Sequence, residues 1–182
     1  MSHREHEETA RDALRNRPIR IGVITVSDTR SRENDHSGDA IINAVTAAGH
    51  DVTLRELVRD EPTDIARMIE QCRDRDDVDV ILTTGGTGVA LRDSTVDVVR
   101  PMLRYELDGF GELFRMLSYR EIGAAAMLSR AIAGLLRTQH APDAPDGAKF
   151  IFCMPGSRNA VRLAMTELII PQLPHLVWQR EM

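Results

Sequence analysis

Residues Val78–Gly88 read VDVILTTGGTG. Val78–Thr84 is rich in Val, Ile and Thr, which predicts a strand buried on both faces of a parallel sheet. The strand runs straight into Gly85-Gly86-Thr87-Gly88, three glycines in four residues. Glycine lets the backbone turn tightly and approach a ligand closely, with N–H groups free to surround an anion. The carboxyl edge of a parallel sheet is where open α/β folds bind ligands. The same glycines would equally serve a tight strand-to-helix turn that binds nothing. No Gly-Lys-Ser/Thr follows, so this is not a Walker A loop, and the spacing is not the dinucleotide fingerprint G-x-G-x-x-G.

Upstream, Ile19–Val26 (IRIGVITV) predicts a first buried strand. Asp35 or Ser37 can cap a helix whose apolar stripe is Ile41, Ile42, Val45 and Ala48, with Gly49 at its end. Val52–Val58 alternates as a second strand, and Pro62 opens a helix through about Asp74 with Ile65, Met68, Ile69 and Cys72 inward. The order β-α-β-α-β favours a mostly parallel sheet with right-handed crossovers in a three-layer α/β/α fold.

Downstream, Thr95–Leu103 predicts a short helix limited by Pro101. Phe110, Leu113, Phe114 and Leu117 give a firm amphipathic helix from Gly109 to Gly123. Arg130–Leu136 reads as a strand, Thr138–Gly147 as a loop, and Phe150–Cys153 as a short buried strand. A last helix over about Arg158–Ile169 is expected to stop before Pro171.

The 182 residues fit one domain, 18–182, preceded by a charged tail at 1–17. With 42 % hydrophobic and 28 % charged residues the chain can build a proper core, and one Trp, two Tyr and four Phe make that core aliphatic. A net charge of −5 without a basic stripe argues against nucleic-acid and membrane-surface partners. No apolar run approaches a membrane span, and Met1–Arg17 lacks the apolar middle of a signal peptide. Cys72 and Cys153 form no disulfide or metal motif and read as buried thiols, so the cytoplasm is the expected compartment. The six histidines show no ligand spacing and read as exposed.

Around the glycine loop stand several polar candidates. Asp93 can cap the Thr95 helix or hold Mg²⁺, a hard cation that prefers carboxylate and phosphate oxygens. Arg92 can counter a phosphate or pair on the surface. Asp60 follows the second strand and so emerges on the same edge, though an acid beside Pro62 also suits a helix N-terminus. Ser27 and Asp28 leave the first strand at that edge. Pro155-Gly156-Ser157 opens the last helix, where Ser157 is an N-cap or an anion contact. Two carboxylates on one glycine loop would suit metal-assisted nucleotidyl transfer.

With these residues in view, the sequence resembles the MoaB/MogA family of molybdenum cofactor biosynthesis proteins, whose fold is shared by the N-terminal domain of gephyrin. The resemblance runs from about Ile19 to Leu173. It is carried by Ile81–Gly88 followed by Asp93-Ser94-Thr95, with Val26-Ser27-Asp28, Asp60, Gly109-Phe110-Gly111-Glu112 and Pro155-Gly156-Ser157 in support. Phe114–Gly123 is similar to the MoaB branch in particular. The resemblance implies a molybdopterin-binding domain and an adenylyltransferase that moves AMP from ATP to the terminal phosphate of molybdopterin with Mg²⁺. Asp60 and Asp93 would be its catalytic and metal-holding residues. Ser27, Asp28, Thr84, Gly85, Gly86, Thr87, Gly88, Arg92, Ser94, Gly156 and Ser157 would contact substrate. It further implies a homotrimer or homohexamer and a MoeA-type partner that inserts molybdate. A non-catalytic molybdopterin carrier is the alternative within the same pathway.

Overall fold

The computed structural model describes residues 17–137 and 148–181. A six-stranded sheet of order β2-β1-β3-β6-β5-β4 forms its centre. The strands are β1 (Arg20–Val26), β2 (Asp51–Val58), β3 (Val80–Thr84), β4 (Leu103–Glu106), β5 (Ile132–Leu136) and β6 (Phe150–Met154). β2, β1, β3 and β6 are mutually parallel, whereas β5 runs antiparallel to both β6 and β4. The helices are α1 (His36–Ala47), α2 (Pro62–Arg73), α3 (Thr95–Val99), α4 (Asp108–Ile122), α5 (Arg158–Ala164) and α6 (Ile170–Glu181).

Strand parity sorts the core into two sides, because successive side chains point to opposite faces. Ile21, Val23, Val80, Leu82, Phe150 and Phe152 bury one face with Ile41, Phe114 and Val161 from α1, α4 and α5. Ile24, Val26, Ile81, Ile151 and Cys153 bury the other with Ile65, Ile69 and Val96 from α2 and α3. This is the three-layer, mostly parallel arrangement that the alternation of elements predicts. No helix among the described residues is long and apolar enough to cross a membrane.

Local chemistry sets the element ends. The Asp35 carboxylate caps α1 by accepting from the Gly38 N–H at 2.9 Å, and Gly49 follows that helix at φ +79°. Gly123 ends α4 at φ +61°, on the position expected from the sequence.

Three local expectations need correction. The Thr95 helix is α-helical only to Val99; Arg100–Met102 is a 3₁₀ turn and Leu103 begins β4, an edge strand. The last helix does not stop before Pro171. After α5 the chain makes a π turn over Met165–Ile169, with the Ile170 N–H reaching back to the Met165 carbonyl, and continues as α6 to Glu181. A wider turn seats a proline ring that would collide with the carbonyl four residues back in a regular helix. His50 and His175 are half-buried rather than exposed, and the His50 Nδ1 accepts from the Ile19 N–H at 3.4 Å. The expected loop at 138–147 and most of the expected tail lie outside the described residues.

Candidate functional site

Because β1, β2, β3 and β6 are parallel, their last residues Val26, Val58, Thr84 and Met154 end together at one edge. The glycine loop leaves β3 in the middle of that edge. Gly85 and Gly86 adopt φ of +100° and +64°. A Cβ on Gly85 would lie 2.1 Å from the Val26 carbonyl oxygen, and one on Gly86 would lie 2.2 Å from Thr95 Oγ1. No other residue fits either position.

The polarity of this loop is one-sided. All four of its carbonyls accept hydrogen bonds: Gly85 from the Thr95 hydroxyl (3.0 Å), Gly86 from the Thr95 N–H (3.1 Å), Thr87 from the Arg130 N–H (3.0 Å) and Gly88 from Arg130 Nε (2.6 Å). The Gly85 N–H donates to the Met154 carbonyl at 3.0 Å. The N–H groups of Gly86, Thr87 and Gly88 have no acceptor among the described residues. With the oxygens turned away and three donors left, the loop is built to meet an anion.

Two recesses adjoin it. The larger, about 470 Å³, runs from the glycine loop to Phe114, Ser118 and Ile122 of α4 and to Gly156 and Ser157. The smaller, about 130 Å³, is lined by Asp28, Asp60, Arg92 and Asp93. Val26, Ser27, Gly86 and Asp93 line both, so the two are neighbouring compartments of one cleft.

The two expected carboxylates therefore meet at the same recess. Asp60 Oδ1 accepts from the Ser94 N–H at 3.1 Å and the Ser94 hydroxyl at 2.8 Å, while the Asp60 N–H donates to Asp28 Oδ1 at 3.0 Å. Asp93 does not cap α3. The N-cap is Ser94, and Asp93 Oδ2 accepts from the Ala90 N–H at 2.9 Å across a tight turn. Asp60 Oδ2 and Asp93 Oδ1 accept nothing from other described residues, so each keeps an oxygen for a cation. Among the described residues no three His, Cys, Asp or Glu side chains are grouped to hold a metal by themselves. A Mg²⁺ ion fits this donor set only with water and phosphate oxygens completing its shell, which is how that ion is usually held beside a phosphate substrate.

Of the remaining candidates, Ser27, Asp28, Gly85, Gly86, Thr87, Gly88, Arg92, Gly156 and Ser157 line the cleft. Ser157 also caps α5 by accepting from the Ala160 N–H. Thr84 and Ser94 line neither recess. The Thr84 hydroxyl donates to the Pro155 carbonyl at 3.1 Å, tying the β3 and β6 loops together.

Two arginines escaped the sequence reading. Arg130, just ahead of β5, grips the glycine loop. Arg30 lines the larger recess and donates to Ser37 Oγ (2.9 Å) and to the Gly156 carbonyl (3.1 Å). Ser37 in turn donates to the buried Asp35 carboxylate, which also accepts from Thr25 and Arg55. Burial pushes the Asp35 carboxyl upward, but hydrogen bonds from Gly38, Thr25, Arg55 and Ser37 outweigh it and hold it below the ordinary carboxylate value.

A family profile described as "Probable molybdopterin binding domain" matches residues 22–175. The chain is 44 % identical over 180 residues to molybdenum cofactor biosynthesis protein B of Bacillus anthracis, covering 98 % of each. The chain belongs to the MoaB/MogA family of molybdenum cofactor biosynthesis proteins. Solved members of the MoaB/MogA family superpose closely. A crystal structure of molybdenum cofactor biosynthesis protein B matches at TM-score 0.83 and 44 % identity over 91 % of this chain and 97 % of the other. The tungsten cofactor synthesizing protein MoaB from Pyrococcus furiosus matches at TM-score 0.80 and 33 % identity over 91 % and 99 %.

Proposed function

We propose that this protein acts in molybdenum cofactor biosynthesis by adenylylating molybdopterin with ATP, ahead of molybdate insertion. The observation that carries this reading is the one-sided glycine loop: three N–H donors and no competing carbonyl, beside two carboxylates that each keep a free oxygen. Such a site suits two phosphate groups that must be brought together despite their charge. In the reaction the terminal phosphate oxygen of molybdopterin attacks the α-phosphorus of ATP. A new P–O–P bond forms, the α–β anhydride bond breaks, and pyrophosphate leaves.

Within this scheme the N–H groups of Gly86, Thr87 and Gly88 hold phosphate oxygens, and Asp60 and Asp93 hold Mg²⁺. The cation supplies charge neutralisation between the phosphates. Ser27, Asp28, Arg92, Gly156 and Ser157 contact the two substrates along the cleft walls. The protein works as a homo-oligomer, trimer or hexamer, in the cytoplasm and hands its product to a MoeA-type insertion protein.

The test is an assay of purified protein with ATP, Mg²⁺ and molybdopterin. Pyrophosphate release and an adenylylated pterin are expected, and Asp93→Asn should lower turnover by roughly a hundredfold with pterin binding retained. Pterin binding without pyrophosphate release from the wild type would establish a carrier instead.

A further inference from the structure

Arg130 donates to two of the four glycine-loop carbonyls, yet it lines neither recess. Its Nε donates to the Gly88 carbonyl at 2.6 Å and its Nη2 to the Asp93 carbonyl at 2.6 Å. Its Nη1 pairs with both Asp97 oxygens at 3.0 and 2.8 Å, and its own N–H donates to the Thr87 carbonyl. One planar guanidinium thus bridges both ends of the Gly88–Asp93 segment and is oriented by a carboxylate on α3. A lysine offers its donors from one atom rather than from a planar fork, and so cannot reproduce this spacing to both carbonyls together with the paired contact to Asp97.

We propose that Arg130 is a positioning residue of the cleft. By holding the Gly88 and Asp93 carbonyls together it fixes where the Asp93 carboxylate stands and keeps the Gly88 N–H turned toward the anion. The inference rests on the phosphate- and Mg²⁺-binding reading above. Its geometric basis is that the segment's remaining closure is slight: Asp93 meets Ala90 through both its N–H and its Oδ2, and its carboxylate lies against Gly88, but no other hydrogen bond among the described residues joins Gly88 to Asp93. Without the fork, the metal-holding carboxylate and the last loop donor would move independently. Asp97 then matters through Arg130, since it stands on the solvent side, 64 % exposed, away from the recess.

The test is calorimetric titration of Mg²⁺ with inorganic pyrophosphate as the probe, on wild type, Arg130→Lys and Asp97→Asn, with thermal unfolding measured in parallel. Wild type should bind the pair. Arg130→Lys should weaken binding on the order of ten- to a hundredfold, the usual range for a residue that orients a metal ligand. Asp97→Asn, which leaves the arginine in place at an exposed position, should weaken it less, in the same direction. The shift in the Mg²⁺ concentration needed for half-maximal binding should exceed any shift in Tm. Variants that bind as tightly as wild type overturn the role of Arg130, and so does a lowered Tm with unaltered Mg²⁺ dependence. A wild type that binds neither Mg²⁺ nor pyrophosphate overturns the reading of the cleft itself.

Discussion

The Asp60 carboxylate receives two hydrogen bonds from Ser94, one from its N–H and one from its hydroxyl. This pair fastens the loop after β2 to the loop after β3, so the two acids of the cleft are fixed relative to each other through main chain as well as side chain. Ser94→Ala keeps the N–H bond and loses the other. It should cost about 1 kcal/mol, lowering Tm by about 2–4 °C in a chain of this size. An unchanged Tm by calorimetry would show that the hydroxyl bond contributes nothing.

Backbone strain at the glycine loop separates from occupancy of the cleft in a pair of variants. Gly86→Ala and Gly49→Ala both place a Cβ at positive φ, +64° and +79°. Each should destabilise by about 1–2 kcal/mol from conformation alone. At Gly86 the methyl also meets Thr95 Oγ1 at 2.2 Å and Asp60 Oδ2 at 2.8 Å, whereas at Gly49 nothing lies within 4 Å. Pyrophosphate titration should therefore fail for Gly86→Ala and match wild type for Gly49→Ala.

Acid should unfold the protein through Asp35 and Asp79. Burial raises both carboxyls, yet hydrogen bonds from Gly38, Thr25 and Arg55 to Asp35, and from Arg20 to Asp79, bring them below the ordinary value of 3.8. A carboxyl depressed in the folded state binds fewer protons than its unfolded counterpart. Its contribution is present above the unfolded value and is lost as pH falls through the folded one. Urea midpoints should decline modestly below about pH 6.5, where burial holds the His50 imidazole below its ordinary value, and drop more steeply below about pH 4 as the two carboxyls protonate. Asp79→Asn should flatten part of the drop, and a variant with the wild-type slope would remove Asp79 from the account.

The two thiols should be inert. Burial pushes Cys72 up to about 11 and Cys153 to about 12, so almost no thiolate exists near neutrality. Native protein should resist iodoacetamide and take up label at both cysteines once unfolded. Rapid labelling of the native chain, read by mass spectrometry, would contradict the packing.

What the sequence made legible follows from how local each determinant is. β1, β3 and β6 announce themselves because a strand covered on both faces must be apolar throughout, and Gly49 and Gly123 mark helix ends because those turns need a left-handed residue. Leu103–Glu106 offers four residues with one buried apolar side chain, too little for periodicity to register, and only pairing with β5 makes it a strand. Asp60 and Asp93 could be placed together since a parallel sheet sends both to one edge. Arg130 could not. The acceptors through which it holds the loop are main-chain oxygens 42 and 37 residues away, and a carbonyl leaves no trace in the identity of its residue.

The π turn at Met165–Ile169 has a consequence for the whole carboxyl end of the chain. Each residue advances a helix by about 100°, so the additional residue sets the phase of everything beyond it. Leu173 and Val177 face the sheet, fully buried, and Arg180 reaches the Asp79 carbonyl at 3.0 Å only in that phase. Shortening the segment by one residue would swing that side of α6 toward solvent and uncouple it from β3, though every side chain involved would still be present.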